Sequence, residues 1–168
     1  GAINSVFIPL YLDHKAKSKS ETEIFFSIIF ISFLIITTAL SFFVFFQTEL
    51  VISLLAPGFT KDYLLLENSI FLLKITFPFL IFVSLSSLLS SILNANNNFF
   101  TPSIVSVILN LAMIITLLVF KDHAHIQLAW AILLSGSIQL ILLLINFKIL
   151  KISFHLTLQQ KPYPLGYG

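Results

Sequence analysis

The residue best suited to chemistry in this sequence is a lysine set in an apolar run, Lys74 in Leu72-Leu73-Lys74-Ile75-Thr76-Phe77-Pro78. A cation in apolar surroundings is costly unless it meets a partner or reaches a polar boundary, so such a residue marks a functional hypothesis. Three roles are open to Lys74: contact with an anion, pairing with Glu67 seven residues earlier, or snorkelling to an interface. Pro78, four residues on, removes a backbone donor and clashes with the carbonyl of Lys74, which predicts a helix bend there.

Polar side chains recur at helical spacing further along the same run and in two later ones. Ser84, Ser87, Ser91 and Asn94 share one helical face, as do Ser103, Ser106 and Asn110, and then Ser135, Gln139 and Asn146. Small hydrogen-bonding residues let membrane helices approach closely, so each stripe reads either as helix packing or as the wall of a hydrated cavity. His123 and His125 stand two apart, while His14 and His155 are isolated. No carboxylate or cysteine context supports a metal site. The sequence has no Gly-rich phosphate loop, nucleophile elbow or metalloprotease helix motif, and no catalytic residue, enzyme activity, cofactor or nucleic-acid partner is expected. None of the apolar runs contains a carboxylate, which argues against a proton or sodium relay built from them alone.

The elements carrying these residues are set by hydropathy. Apolar residues make up 58% of the 168 and charged residues only 10%, with mean hydropathy +1.04. A soluble domain carries roughly a quarter charged residues, so this chain cannot clothe a globule in water. A bilayer core about 30 Å thick needs roughly 20 apolar helical residues. Four segments meet or nearly meet that need: Ile24–Phe46, about Ser69–Leu93, about Ser103–Phe120, which is short and must recruit neighbours or sit with little tilt, and about Ile126–Phe147. The expected fold class is therefore all-α, a polytopic transmembrane helix bundle of four full spans. Gly1–Leu12 is too short to cross and reads as the end of a preceding helix; Gly1 is not an initiator Met. Between spans lie the charged Asp13–Glu23 loop, the Ala56-Pro57-Gly58-Phe59 turn, the Asn94–Asn98 hairpin before Thr101-Pro102, and Lys121–His125.

The basic residues are all lysines, with no arginine. Lys15, Lys17, Lys19, Lys148, Lys151 and Lys161 fall on one side of the four spans, and only Lys61 and Lys121 in the loops of the other. The positive-inside rule then places Asp13–Glu23, the Asn-rich hairpin and the C-terminus in the cytoplasm, and the Ala-Pro-Gly-Phe turn outside.

Several short motifs follow one another in a specific order. Gly1-Ala2, Phe7 and Pro9 precede Ala56-Pro57-Gly58-Phe59 and Leu72-Leu73-Lys74-Ile75-Thr76-Phe77-Pro78. Then come Ile92-Leu93-Asn94, Phe99, Pro102, Asn110, Leu128-Ala129-Trp130-Ala131 and Gly136 with Gln139-Leu140. In order and spacing these resemble the MurJ (MviN) family of lipid II flippases, within the multidrug/oligosaccharidyl-lipid/polysaccharide exporter superfamily, to about Lys151. The resemblance implies part of a two-lobe flippase in the bacterial inner membrane, working in peptidoglycan synthesis and cell shape. Residues 1–151 would form a partial transmembrane lobe and 152–168 a divergent tail. The implied partners are the bilayer, an undecaprenyl-linked peptidoglycan precursor and the remaining helices of the full-length flippase. Lys74 matches a basic position of the family and is the one candidate substrate contact. The family's cavity arginines have no counterpart in this chain. The alternatives are a truncated, non-transporting remnant or a related polysaccharide or multidrug exporter.

Overall fold

The computed structural model describes residues 2–120 and 124–149, with side chains for 5–120 and 125–148. Among the described residues every regular element is helical: α1 (Ala2–Lys17), α2 (Lys19–Phe46), α3 (Thr48–Leu55), a 3-10 turn (Pro57–Lys61), α4 (Tyr63–Thr76), α5 (Phe79–Ala95), α6 (Phe100–Val119) and α7 (Ala124–Ile149). Four stretches are long and apolar enough to cross a membrane: α2, α4 with α5, α6 and α7. The expected boundary at residue 151 and the tail 152–168 lie outside the described residues, as do Lys121, His123, Lys151, His155 and Lys161.

The polar segment Asp13–Glu23, expected as a loop, is almost wholly helical. Only Ser18 separates α1 from α2, and it caps α2 by accepting a hydrogen bond from the Glu21 N–H at 3.1 Å. Ser18-Lys19-Ser20-Glu21 has the spacing of a capping box, a signal for a helix start rather than for a loop. Lys17 donates to Asp13 at 2.8 Å across one turn of α1. That bond, and then the charge of Lys17, holds the Asp13 carboxyl below its usual value and the Lys17 ammonium above its own.

At the opposite end α2 stops at Phe46, and α3 and the 3-10 turn at Pro57 occupy a connection expected as one turn. Asp62 then caps α4 by accepting from the N–H groups of Leu64 and Leu65 at 3.0 and 3.2 Å. The cap explains why the helix begins at Tyr63, ahead of the uncharged run from about Ser69: satisfying two orphan donors lets it start in Leu64-Leu65-Leu66. Pro78 interrupts the span. Helix α4 ends at Thr76, α5 begins at Phe79, and the chain passes between them with Leu80 N–H bonded to Phe77 O and Ile81 N–H to Pro78 O.

The Asn-rich hairpin is a Schellman cap. Asn97 takes a left-handed φ of 60°, Asn97 N–H bonds to Asn94 O at 3.0 Å, and Asn98 N–H to Leu93 O at 2.8 Å. Asparagine tolerates that conformation better than most residues because its short amide can bond locally. Pro102 follows inside the first turn of α6, where its missing N–H would have had no helical partner.

Helix α5 is the centre of the bundle, packing against α1, α2, α6 and α7, while α4 also packs on α7. The core gathers at one end: Leu88, Leu89, Ile92 and Leu93 of α5 meet Phe7 and Tyr11, Phe26, Val105, and Leu143 and Phe147. Polar contacts ring the same end. Lys15 donates to the Asn96 side-chain oxygen at 2.6 Å, Asn96 donates to the Tyr11 hydroxyl at 3.3 Å, and Asn98 donates to Asn146 at 3.2 Å. The α1–α2 junction, the Asn hairpin and the end of α7 therefore share one end, as four membrane crossings require.

The lysine asymmetry predicts that this end is cytoplasmic. Single cysteines at Ala16 and Thr60, both exposed, avoid the capping hydroxyl of Ser18. In intact cells an impermeant thiol reagent should label Thr60→Cys and spare Ala16→Cys. The reverse pattern would invert the topology.

Candidate functional site

Lys74 sits in the last turn of α4, at the end of the bundle away from the aromatic and leucine core. Its side chain is exposed, with Nζ 5.2 Å from the centre of the Phe45 ring on α2. A cation over an aromatic face gains the attraction of the ring quadrupole without being neutralised. The pairing with Glu67 does not form: the ion pairs among the described residues are Lys17–Asp13 and Lys19–Glu23. Seven residues of helix separate Lys74 and Glu67 by roughly 10 Å along the axis, so two exposed side chains have no cause to meet. Of the three roles open to Lys74, anion contact and snorkelling remain.

The polar stripes separate into packed and unpacked ones. On α5, Ser91 is buried and donates to Ser87 O at 2.8 Å, while Ser84 and Ser87 are half-buried. On α7, Ser135 is buried and bonds Ile132 O at 3.0 Å, Gln139 is half-buried, and Asn146 accepts from Asn98. These side chains lie among neighbouring helices.

The α6 stripe does not. Ser103, Ser106 and Asn110 are all exposed, and each bonds back to its own helix, to Phe99 O, Pro102 O and Ser106 O. At about 100° per residue they form a polar arc beside an exposed apolar arc of Ile104, Val107, Leu111, Ile115 and Leu118. Asn110 lies midway along a spanning helix, where contact with lipid is costly. Its arc is suited to water, a polar substrate or a further helix.

Two features escape a reading of spacing. Ser86 on α5 and Ser41 on α2 are buried with hydroxyls that have no hydrogen-bond partner among the described residues. Neither lies in a stripe that spacing would single out. Gly136, in the middle of α7, lies against the start of α5. A Cβ there would stand 2.5 and 2.7 Å from the edge of the Phe79 ring and 3.4 Å from Phe82 Cβ. Phe79 is the first residue of α5, so the interruption at Pro78 and the bare backbone of Gly136 belong to one contact. A lone glycine in an apolar spanning helix is the signal that could have found it.

A shallow, mainly apolar pocket of about 300 Å³ opens between α3, the 3-10 turn and α4, lined by Ile52, Leu55, Phe59, Leu72 and Thr76 among others. No group of three or more metal-ligating side chains occurs among the described residues.

The described residues thus form a helical bundle with four stretches long and apolar enough to cross a membrane, with Lys74 and the α6 polar arc exposed within them. The sequence profile described as lipid II flippase MurJ matches residues 1–164, beyond the point near Lys151 to which the motifs reach. The chain belongs to that family, one of flippases and so of transport proteins, and is a multi-pass protein of the bacterial inner membrane. It is similar to a probable lipid II flippase MurJ of Buchnera aphidicola subsp. Schizaphis graminum, 38% identical over 145 residues that cover 83% of this chain and 28% of that protein. A probable lipid II flippase MurJ of Rickettsia prowazekii is 31% identical over 154 residues, 88% of this chain and 30% of that one. The lipid II flippase MurJ of Thermosipho africanus is 37% identical over 115 residues, 68% and 23%. The chain thus spans less than a third of the length of these relatives.

Proposed function

We propose that this chain forms part of a flippase that moves an undecaprenyl-linked peptidoglycan precursor, lipid II, from the inner to the outer leaflet for cell-wall synthesis. The observation that carries the reading is the family match across residues 1–164. Residues 1–151 form part of one transmembrane lobe, and the remaining helices of the full-length flippase complete the cavity. Flipping needs a polar chamber that opens to each face in turn, usually by rocking one helical unit against another. The core at the cytoplasmic end, with its Lys15–Asn96 and Asn98–Asn146 bonds, holds α1, α2, α5, α6 and α7 together as such a unit.

On α4, which packs on α7 of that unit, Lys74 is the candidate contact for the precursor's pyrophosphate. Ammonium-to-phosphate hydrogen bonds are charge-assisted and favourable away from water. Asn110, with Ser103 and Ser106, supplies neutral bonds from α6. Ser84, Ser87, Ser91 and Gln139 set helix approach, and Pro78 sets where α4 gives way to α5.

The test replaces the corresponding part of a full-length relative with residues 1–168 and asks whether the chimera supports growth of cells depleted of their own flippase. The expected result is growth at membrane levels matched to the parent. A chimera that inserts at those levels and leaves the cells to lyse would refute the proposed role.

A further inference from the structure

The exposed apolar surface of α2 does not end where α2 ends. Phe42, Phe46, Leu50 and Leu54 follow one another at four-residue spacing across the break at Gln47, and all four are exposed, Phe46 and Leu54 to 73%. The line is carried across because helical bonding continues there: Gln47 N–H bonds to Phe43 O at 2.9 Å and Val51 N–H to Gln47 O at 3.0 Å. Thr48 and Ile52 are the side of α3 buried against the protein. Beside the apolar line, on a third side, Glu49 and Ser53 are also exposed. Tyr63 and Leu64, at the start of α4, add two further exposed apolar side chains.

Length decides where this segment lies. Ile24–Phe46 alone reaches roughly 35 Å at about 1.5 Å per residue, enough to fill a hydrocarbon core about 30 Å thick. Helix α3 therefore lies past the core, next to the charged Lys61, Asp62 and Glu67. In bulk water Leu50 and Leu54 would be uncovered; in hydrocarbon Glu49 and Ser53 would be. A helix with uncovered apolar and polar sides running next to each other suits the boundary between acyl chains and headgroups.

We infer that α3, with the 3-10 turn and the first turn of α4, lies in the headgroup zone of the leaflet at this end. Phe46, Leu50 and Leu54 reach the acyl boundary, and Glu49 and Ser53 face water. The partner is the lipid surface itself, because the apolar line is continuous with the bilayer-facing side of α2. This seating fixes the depth of the adjoining end of α2, and with it the Phe45 ring over which Lys74 lies.

The test uses residues 1–168 reconstituted in phosphatidylcholine–phosphatidylglycerol vesicles, with Trp130→Phe as background and a single tryptophan at Leu54 or at Ser53. Acyl-brominated phosphatidylcholine should quench Leu54→Trp at least about twofold more than Ser53→Trp, and aqueous iodide should show the opposite order, as expected for an interfacial helix. Equal iodide quenching at both positions without lipid quenching would place α3 in water. Equal lipid quenching at both would place it in the hydrocarbon, and shielding of Leu54→Trp from both quenchers would mean that protein covers it. Each of these three overturns the inference. Cysteines at Leu54 and Ser53 give a second readout, with only Ser53→Cys reacting rapidly with an impermeant thiol reagent.

Discussion

Gly136→Leu should destabilise the bundle by about 3 kcal/mol and separate α7 from the start of α5, while Gly136→Ala should cost no more than about 1 kcal/mol. The difference follows from what each side chain meets. A single Cβ collides with the edge of the Phe79 ring, at 2.5 and 2.7 Å, and only touches Phe82 Cβ at 3.4 Å. A ring edge can turn aside, and alanine gains helix propensity over glycine. Leucine fills the gap itself and forces the two helices apart. In lipid little hydrophobic drive opposes separation, since the tails are as apolar as the helix, and the lost packing is felt in full. The measurement is thermal or denaturant unfolding of the detergent-solubilised chain, with Phe79→Ala as a second change. Phe79→Ala should restore a large part of what Gly136→Leu loses. If Gly136→Leu is as stable as the parent, the close approach of α7 to α5 is wrong.

Lys74→Leu, in a full-length relative carrying residues 1–168, should lower outward delivery of the lipid about tenfold or more at unchanged membrane abundance, the scale of losing one charge-assisted hydrogen bond. Lys74→Arg should keep most activity because it retains the charge and adds donors. Phe45→Leu should cost less than Lys74→Leu, since it removes only the ring beneath the ammonium. Outward delivery is read as lipid II accessible at the cell surface, with abundance followed by immunoblot. Normal delivery by Lys74→Leu would mean that the lysine merely snorkels to the interface and has no part in substrate contact.

The spans were legible in the sequence because uninterrupted apolar runs of that length have few other homes. Their ends were less so. Helix α4 begins at Tyr63, ahead of the uncharged run from about Ser69, because Asp62 caps it. The polarity of Asp13–Glu23 suggests a loop, although Ser18 and Glu21 carry capping-box spacing. Polarity says that a segment leaves the bilayer, not that it leaves the helix. The candidate site was legible only in part. Spacing showed that Ser103, Ser106 and Asn110 share a face, but not that the face lies uncovered while Ser91 and Ser135 are packed. Which face a neighbour covers depends on how helices pair, and a single helix does not encode that. The Gly136–Phe79 contact was beyond reach for the same reason, as was the position of Lys74 over Phe45.

The most direct test of the central claim measures lipid II exposed on the outer surface of flippase-depleted cells that carry either residues 1–168 alone or the chimera with a full-length relative. A pyrophosphate in the membrane demands paired cations and hydrogen bonds. This chain brings one intramembrane lysine with Asn110 and its neighbouring serines, too little to hold such a group unaided. The chimera should restore surface lipid II, and residues 1–168 alone should insert with four spans and restore none. Restoration by the segment alone at matched membrane levels would contradict the account, because four-span units would then form the cavity among themselves. Failure of a well-inserted chimera would contradict it from the other side, by removing this chain from the flippase altogether.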